Sequence, residues 1–359
     1  MRYDLHRHLE GSHSPRALLD VAQRFDVKAP VFFSGGRWRT EAELASAMVL
    51  SRPSDDARIF YTCIVLARAA YVSVDAIAEL ARIAFHEAAD ETDGLEMRVS
   101  LFSMTRTLLE NEGVAWRELS PVQMAERART VLVALLASRD TVEESTGKRV
   151  LVRLGFSRTF ESEPHYRALA EVVLEHAKGL VGLDVLGIVT GADPEPMPAP
   201  LVAILERLRP ALPDLTIHAG EFAGAASVER TLELSPRGIG HGVRSLESPA
   251  VLERLARQGV TLEVCPTSNR LLIPSALRGL EQANGTAPLV ALQRAHVHCV
   301  LGSDDPAPMG TSFTRELSVA TAAGVDLVRL EADMARRWGQ LTTEADRSPV
   351  PATPTRRSG

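Results

Sequence analysis

The feature that most constrains this chain is an alternation between residues 3 and 302. Short aliphatic or β-branched runs are separated by longer segments whose apolar residues recur at helical spacing. Eight runs stand out: Tyr3–His6, Leu95–Phe102, Arg149–Phe156, Leu180–Val185, Leu215–His218, Gly238–His241, Val260–Cys265 and His298–Gly302. Among the segments between them, Val74–Ala88, Met124–Ala137, Glu163–His176, Pro200–Arg209 and Pro249–Gln258 carry the 3.6-residue pattern of amphipathic helices. Parallel strands need crossovers, and helices of this length supply them, so the pattern is that of an α/β protein built from repeated βα units. Eight units favour a closed (β/α)8 TIM barrel over an open doubly wound sheet. The 359 residues cover the roughly 250 that such a barrel uses.

One domain over residues 1–340 is expected, followed by a disordered tail over 341–359. The Arg347–Gly359 stretch of that tail is rich in Pro, Ser, Thr and Arg and has almost nothing to bury. A long segment, Asp26–Asp75, separates the first run from the second and carries Phe32, Phe33, Trp38, Phe60 and Tyr61. It reads as a helical insertion after the first strand, either packed against the barrel or covering its mouth as a lid. The net charge of -6 and the lack of a Lys/Arg run exclude a phosphate-backbone or anionic-lipid surface, so no nucleic acid or membrane partner is expected. No apolar stretch approaches a membrane span or a signal-peptide core. Cys63, Cys265 and Cys299 are too few and too scattered for a disulfide framework, and a cytoplasmic protein is expected.

Four clusters carry chemistry, each where a run ends. His6-Arg7-His8 places two imidazoles on one face of the first strand, because residues i and i+2 point the same way. His218-Ala219-Gly220-Glu221 follows the fifth run, Gly240-His241-Gly242 the sixth, and Ser303-Asp304-Asp305-Pro306 the eighth. Taken singly, each has a plainer reading: a packed histidine pair, a core histidine beside a solvated glutamate, a glycine turn, a surface Asp-Asp-Pro turn. Together they lie at the C-terminal ends of strands, the face where such barrels place their sites. Three His and one Asp suit Zn2+ with a position left for water.

The stretches Asp4-Leu5-His6-Arg7-His8-Leu9-Glu10-Gly11, Ile217-His218-Ala219-Gly220-Glu221, Ile239-Gly240-His241-Gly242, Cys265-Pro266-Thr267-Ser268-Asn269 and Ser303-Asp304-Asp305-Pro306 resemble the adenosine and adenine deaminase branch of the amidohydrolase superfamily in order and spacing. The resemblance implies one zinc ion held by His6, His8, His218 and Asp304. Glu221 and His241 would be catalytic groups together with Asp304. It also implies a small-molecule aminopurine substrate met by Glu10, Gly187 and Asp305. The expected activity is a hydrolytic deamination, the cleavage of a C–N bond of a cyclic amidine such as adenosine or a substituted adenosine. Zinc would lower the pKa of a water to about 7. Asp304 would accept a hydrogen bond from that water, His241 would steady the attacking oxygen, and protonated Glu221 would donate to a ring nitrogen. Ser268 and Asn269 are expected to support the metal-site loops. Arg98 and Arg158 also lie at strand ends, where an Arg serves as often in a structural ion pair as in anchoring a ligand, and neither is counted as catalytic.

The sequence departs from the family pattern in two places. Gly187 is followed by Ile188, Val189 and Thr190 rather than acidic residues. The residue after His-x-His-Leu, usually an Asp that meets the ribose in adenosine deaminases, is Glu10, which resembles adenine or aminodeoxyfutalosine deaminases. Those two activities are the alternatives within the family. A two-metal amidohydrolase acting on a different heterocycle is the alternative outside it; that class bridges its metals with a carboxylated Lys on the fourth strand, whereas Lys178 precedes the fourth run. A non-enzymatic binding module would have lost a ligand or the acid, and none is missing. The Pro-Cys-x-x-Cys motif of deaminases acting on nucleic-acid bases is absent.

Overall fold

Strand β1 (Tyr3–His8) begins a sheet that continues through β2 (Gly94–Val99), β3 (Arg149–Ser157), β4 (Gly182–Leu186), β5 (Leu215–Ala219), β6 (Gly238–His241), β7 (Thr261–Val264) and β8 (His298–Leu301). In this computed structural model, which describes residues 1–29, 38, 40–115, 118–159 and 162–346, each strand is hydrogen-bonded in parallel to the next in sequence. The seam closes just past β8, where Asp304 N donates to His6 O at 2.8 Å and His8 N donates to Asp304 O at 2.8 Å. The fold is a (β/α)8 barrel. The backbone of Asp304 is therefore fixed by the same bonds that join the last strand to the first.

Local chemistry explains the helices between strands. Pro121–Thr146 starts at a capping box, with Ser120 and Gln123 exchanging side-chain and backbone bonds, and stops at Gly147 in left-handed conformation (φ 67°). The expected β2 run was too long. The strand stops at Val99, and Leu101–Asn111 is a helix that buries Leu101, Phe102, Met104, Thr105 and Leu108 at helical spacing. The fourth strand starts at Gly182 rather than Leu180, because Ala177–Gly179 forms a 3-10 turn. The last helix, Leu327–Ala345, runs past the boundary expected at 340 because Leu330, Met334 and Leu341 form one buried stripe. Residues 347–359 lie outside the described residues, as do Phe32 and Phe33.

The insertion after β1 is helical, with Pro15–Arg24, Glu41–Met48, Ala57–Ala67 and Val74–Glu91. It is tied to the barrel mouth by Leu50 N donating to Pro308 O and Ser54 N donating to Leu271 O, both at 2.8 Å. Trp38 is partly buried against the core, and its Nε1 donates to Val27 O at 2.6 Å.

The barrel interior is not purely apolar. Arg98 on β2 contacts Glu96 at 3.1 Å, Asp184 on β4 at 3.4 Å, and Glu263 on β7. Arg153 on β3 grips Glu96 through two nitrogens at 2.8 and 3.0 Å and reaches Asp214 at 2.7 Å. Arg337, from the last helix, binds Asp214 at 2.6 and 2.8 Å. All seven side chains are buried, so these pairs lose hydration and must recover it through mutual contacts. Burial alone would raise the Asp214 carboxyl, but Arg337 and Arg153 hold it at about 2.

Candidate active site

The four clusters meet at the C-terminal mouth of the barrel, in a cleft that is open to solvent. His6 and His8 project from the end of β1, His218 from β5, His241 from β6, and Asp304 from the turn after β8. His8 Nε2 lies 3.2 Å from His218 Nε2. His6 Nε2 and His8 Nε2 each lie 3.5 Å from Asp304 Oδ1. Glycine makes the convergence possible: a Cβ on Gly240 would lie 2.9 Å from His6 Cε1 and 3.1 Å from His218 Cγ. At Gly11 a Cβ would sit 1.9 Å from Asp305 Oδ1, so this glycine lets Asp305 reach the cleft.

Carboxylates fix the orientation of two of these histidines. His6 Nδ1 is 3.2 Å from Glu263 Oε2 and His218 Nδ1 is 3.2 Å from Asp184 Oδ1. Burial opposes ionisation of Asp184, but His218 and Arg98 hold its carboxyl well below the ordinary range. Arg98 and His6 do the same for Glu263. A proton on Nδ1 of each ring leaves the Nε2 lone pair facing the mouth. Neither acid was identified from sequence, although a carboxylate inside each aliphatic run was the available signal.

A metal ion fits this donor set. His6 Nε2 is buried without a hydrogen-bond partner, and the ring nitrogens of His6, His8 and His218 lie within 4.8 Å of one another. Two imidazoles bound tetrahedrally to one Zn2+ hold their nitrogens about 3.3 Å apart, close to the 3.2 Å between His8 and His218. Cys265 is also near His6 and Asp304, but burial pushes its thiol up and its Sγ donates to Glu263 O at 3.7 Å. Asp184→Asn is expected to weaken zinc binding roughly 10- to 100-fold in a chelator competition. Unchanged affinity would remove Asp184 from that role.

The reactive groups sit beside this cluster. Burial first, then the charges of Asp304 and Glu195, raise the Glu221 carboxyl well above its ordinary value. Burial lowers His241 well below its ordinary value, leaving it neutral. Asn269 Nδ2 donates to His241 Nδ1 at 3.1 Å, so the imidazole proton lies on Nε2, 3.5 Å from Glu221 Oε2 and 4.0 Å from Asp304 Oδ2. His241 and Asp304 both hold left-handed backbone (φ 61° each), at a cost of about 1–3 kcal/mol per residue.

Glu10, Gly187 and Asp305 all line the cleft. Glu10 Oε1 accepts from Ser100 N at 2.9 Å. Burial and the neighbouring Asp304 raise Asp305 well above its ordinary value. Arg98 belongs to the interior network. Arg158 lies 3.3 Å from Glu195 and donates to His218 O, which holds the end of β5. Ser268 is buried but its Oγ has no hydrogen-bond partner. Phe60, Tyr61, Ile64 and Arg68 of the insertion form one wall, and Arg68 was not identified from sequence.

A family model described as adenosine deaminase matches residues 2–336. The chain belongs to the adenosine deaminase family. It is 30% identical over 339 residues to an aminodeoxyfutalosine deaminase of Acidothermus cellulolyticus, covering 90% of this chain and 83% of that relative. Among solved structures, an adenine deaminase of Arthrobacter aurescens superposes with a TM-score of 0.71 at 21% identity, covering 96% of this chain and 97% of the other. An amidohydrolase of Burkholderia ambifaria, solved with bound Zn, superposes with a TM-score of 0.69 at 16% identity, covering 96% and 91%. At these identities the two structures bear on the fold alone. As a member of the adenosine deaminase family, the chain is a hydrolase acting on C–N bonds of cyclic amidines.

Proposed function

We propose that the chain hydrolyses the exocyclic amino group of an adenine-containing small molecule, adenosine or a substituted adenosine, and releases ammonia with the help of one zinc ion. The observation that carries this reading is the pairing in one cleft of a carboxyl kept protonated, Glu221, with a neutral imidazole, His241, beside three converging histidines. That combination can protonate a ring nitrogen while water adds to the neighbouring carbon. The relatives named for aminodeoxyfutalosine and for adenosine support an adenine-type ring. The three converging imidazoles and the Asp304 carboxylate support the choice of zinc.

His6, His8, His218 and Asp304 would hold the zinc, which supplies the Lewis acidity that makes water nucleophilic at neutral pH. Asp304, whose carboxyl the neighbouring imidazoles hold below its ordinary range against burial, accepts a hydrogen bond from the attacking water and relays that proton to the amino nitrogen, which departs as ammonia, while the second proton of the water returns to Glu221. His241 presents Nε2–H to the developing negative charge, held in that orientation by Asn269. Glu221 gives its proton to the ring nitrogen beside the attacked carbon, which makes that carbon electrophilic. Asp305, also kept protonated, orients the ring through another nitrogen, with the Gly187 backbone at the far edge and Glu10 toward the sugar. A fourth strand that carries Asp184 and no Lys supports one metal rather than two. Among the described residues no helix is long and apolar enough to cross a membrane. Three buried free thiols, Cys63, Cys265 and Cys299, fit a reducing cytoplasmic compartment.

The test is ammonia release, followed with ultraviolet spectra, from adenosine, adenine and 5′-substituted adenosines on zinc-loaded protein. Equimolar ammonia and oxopurine from at least one of them is expected. A folded, zinc-loaded chain that releases none would contradict the reading.

A further inference from the structure

Arg68 makes no ion pair among the described residues. It follows the helix Ala57–Ala67, is partly buried, and is the one Arg or Lys lining the cleft among the described residues. Its Nε is buried without a hydrogen-bond partner, and no carboxylate of the described residues lies within the 4.0 Å of an ion pair. Among the described residues the buried guanidiniums are matched: Arg98 to Glu96, Asp184 and Glu263, Arg153 to Glu96 and Asp214, Arg337 to Asp214, Arg158 to Glu195, Arg7 to Asp4. A fold that pairs its buried cations this consistently, yet leaves one unpaired at the cleft wall, has room for an anion from outside.

The surroundings locate that anion. Glu10, Tyr61, Tyr71 and His13 feel the charge of Arg68. Glu221 feels Asp304 and Glu195 instead, and Tyr61 feels both Arg68 and Glu221. Arg68, Glu10 and Glu221 all line the cleft, and the guanidinium acts on Glu10 but not on Glu221, which puts it nearer to Glu10. Ser100 N donates to Glu10 Oε1 at 2.9 Å, and the hydroxyls of Ser100 and Ser103, 2.9 Å apart, both line the cleft. A planar fork of N–H donors lining the same cleft as two hydroxyls suits a phosphate or a carboxylate.

We propose that Arg68, with Ser100 and Ser103, forms a subsite for an anionic group carried by the substrate on the side away from its amino group. This rests on the deaminase reading and narrows it to an acidic nucleoside derivative, excluding the free base. Arg68 acts here as a specificity-determining residue.

The experiment compares kcat/KM for adenosine, adenosine 5′-monophosphate and adenosine 5′-carboxylic acid on wild type, Arg68→Met and Arg68→Lys, with zinc content and melting temperature measured alongside. Wild type should favour one of the two anionic substrates over adenosine by roughly tenfold or more. Which of the two it favours distinguishes phosphate from carboxylate. Arg68→Met should reduce that preference roughly 10- to 100-fold, the loss of charge-assisted hydrogen bonds, and Arg68→Lys should fall between. A preference for adenosine, or an equal loss on all three substrates in Arg68→Met, overturns the subsite and leaves the deaminase reading standing. Ammonia from none of the three overturns the deaminase reading and the subsite with it.

Discussion

Glu221→Gln is expected to give a folded, zinc-loaded protein whose turnover is lower than wild type by a factor on the order of 10² to 10⁴, the usual worth of one positioned proton transfer. The amide matches the carboxyl in size, so the 3.5 Å approach to His241 Nε2 can be kept. It has no acidic proton to give. Burial and the nearby charges of Asp304 and Glu195 keep the wild-type group protonated, and replacing a neutral carboxyl with a neutral amide removes no buried charge. Stability should change little, and the effect should fall on kcat. Steady-state kinetics with zinc content and a urea melt decide the matter. A variant that keeps more than a tenth of wild-type turnover would take the proton transfer away from Glu221.

The second large effect is on stability. Arg98→Met leaves the buried carboxylates of Glu263 and Asp184 without the guanidinium that pairs with both. Breaking a buried pair by removing one partner costs about 3–5 kcal/mol, because the remaining charge is neither hydrated nor matched. These two carboxylates also orient His6 and His218, so zinc affinity should fall in the same variant. Urea denaturation with and without zinc separates the effects: the metal-free protein should already be destabilised, and added zinc should stabilise the variant less than wild type. Metal-free stability within about 1 kcal/mol of wild type would show that the network contributes specificity rather than stability.

The parts of the molecule that could be read from sequence are those whose signals are local. The histidines of β1 stand at i and i+2, and Glu221 stands three residues after His218, so each cluster announced itself within a few positions. Strand order followed from the repeated βα units. Strand ends were less legible: Leu101 and Phe102 extend an aliphatic run in sequence but belong to a helix, since β-branched and aliphatic residues suit either element over a few residues.

The interior charges were not legible because their partners are remote. His6 and Glu263 are 257 positions apart, and Arg153 and Asp214 are 61 apart. A lone Asp184 or Glu96 inside a strand reads as one polar position until the closed barrel brings Arg98 to it. Arg68 was hidden for a different reason. An Arg at the end of a helix is ordinarily a solvated cap, and only the packing of the insertion over the barrel mouth turns it into a cleft residue.

Hydrolysis of an aminopurine by a chain holding one zinc ion can be followed by turnover in water enriched in oxygen-18, with zinc content measured on the same sample. The expected result is one ammonia released and one labelled oxygen gained per purine, one zinc per active chain, and activity lost on chelation and regained with zinc. Full activity in the metal-free chain, or ammonia released without oxygen from water entering the ring, would contradict it.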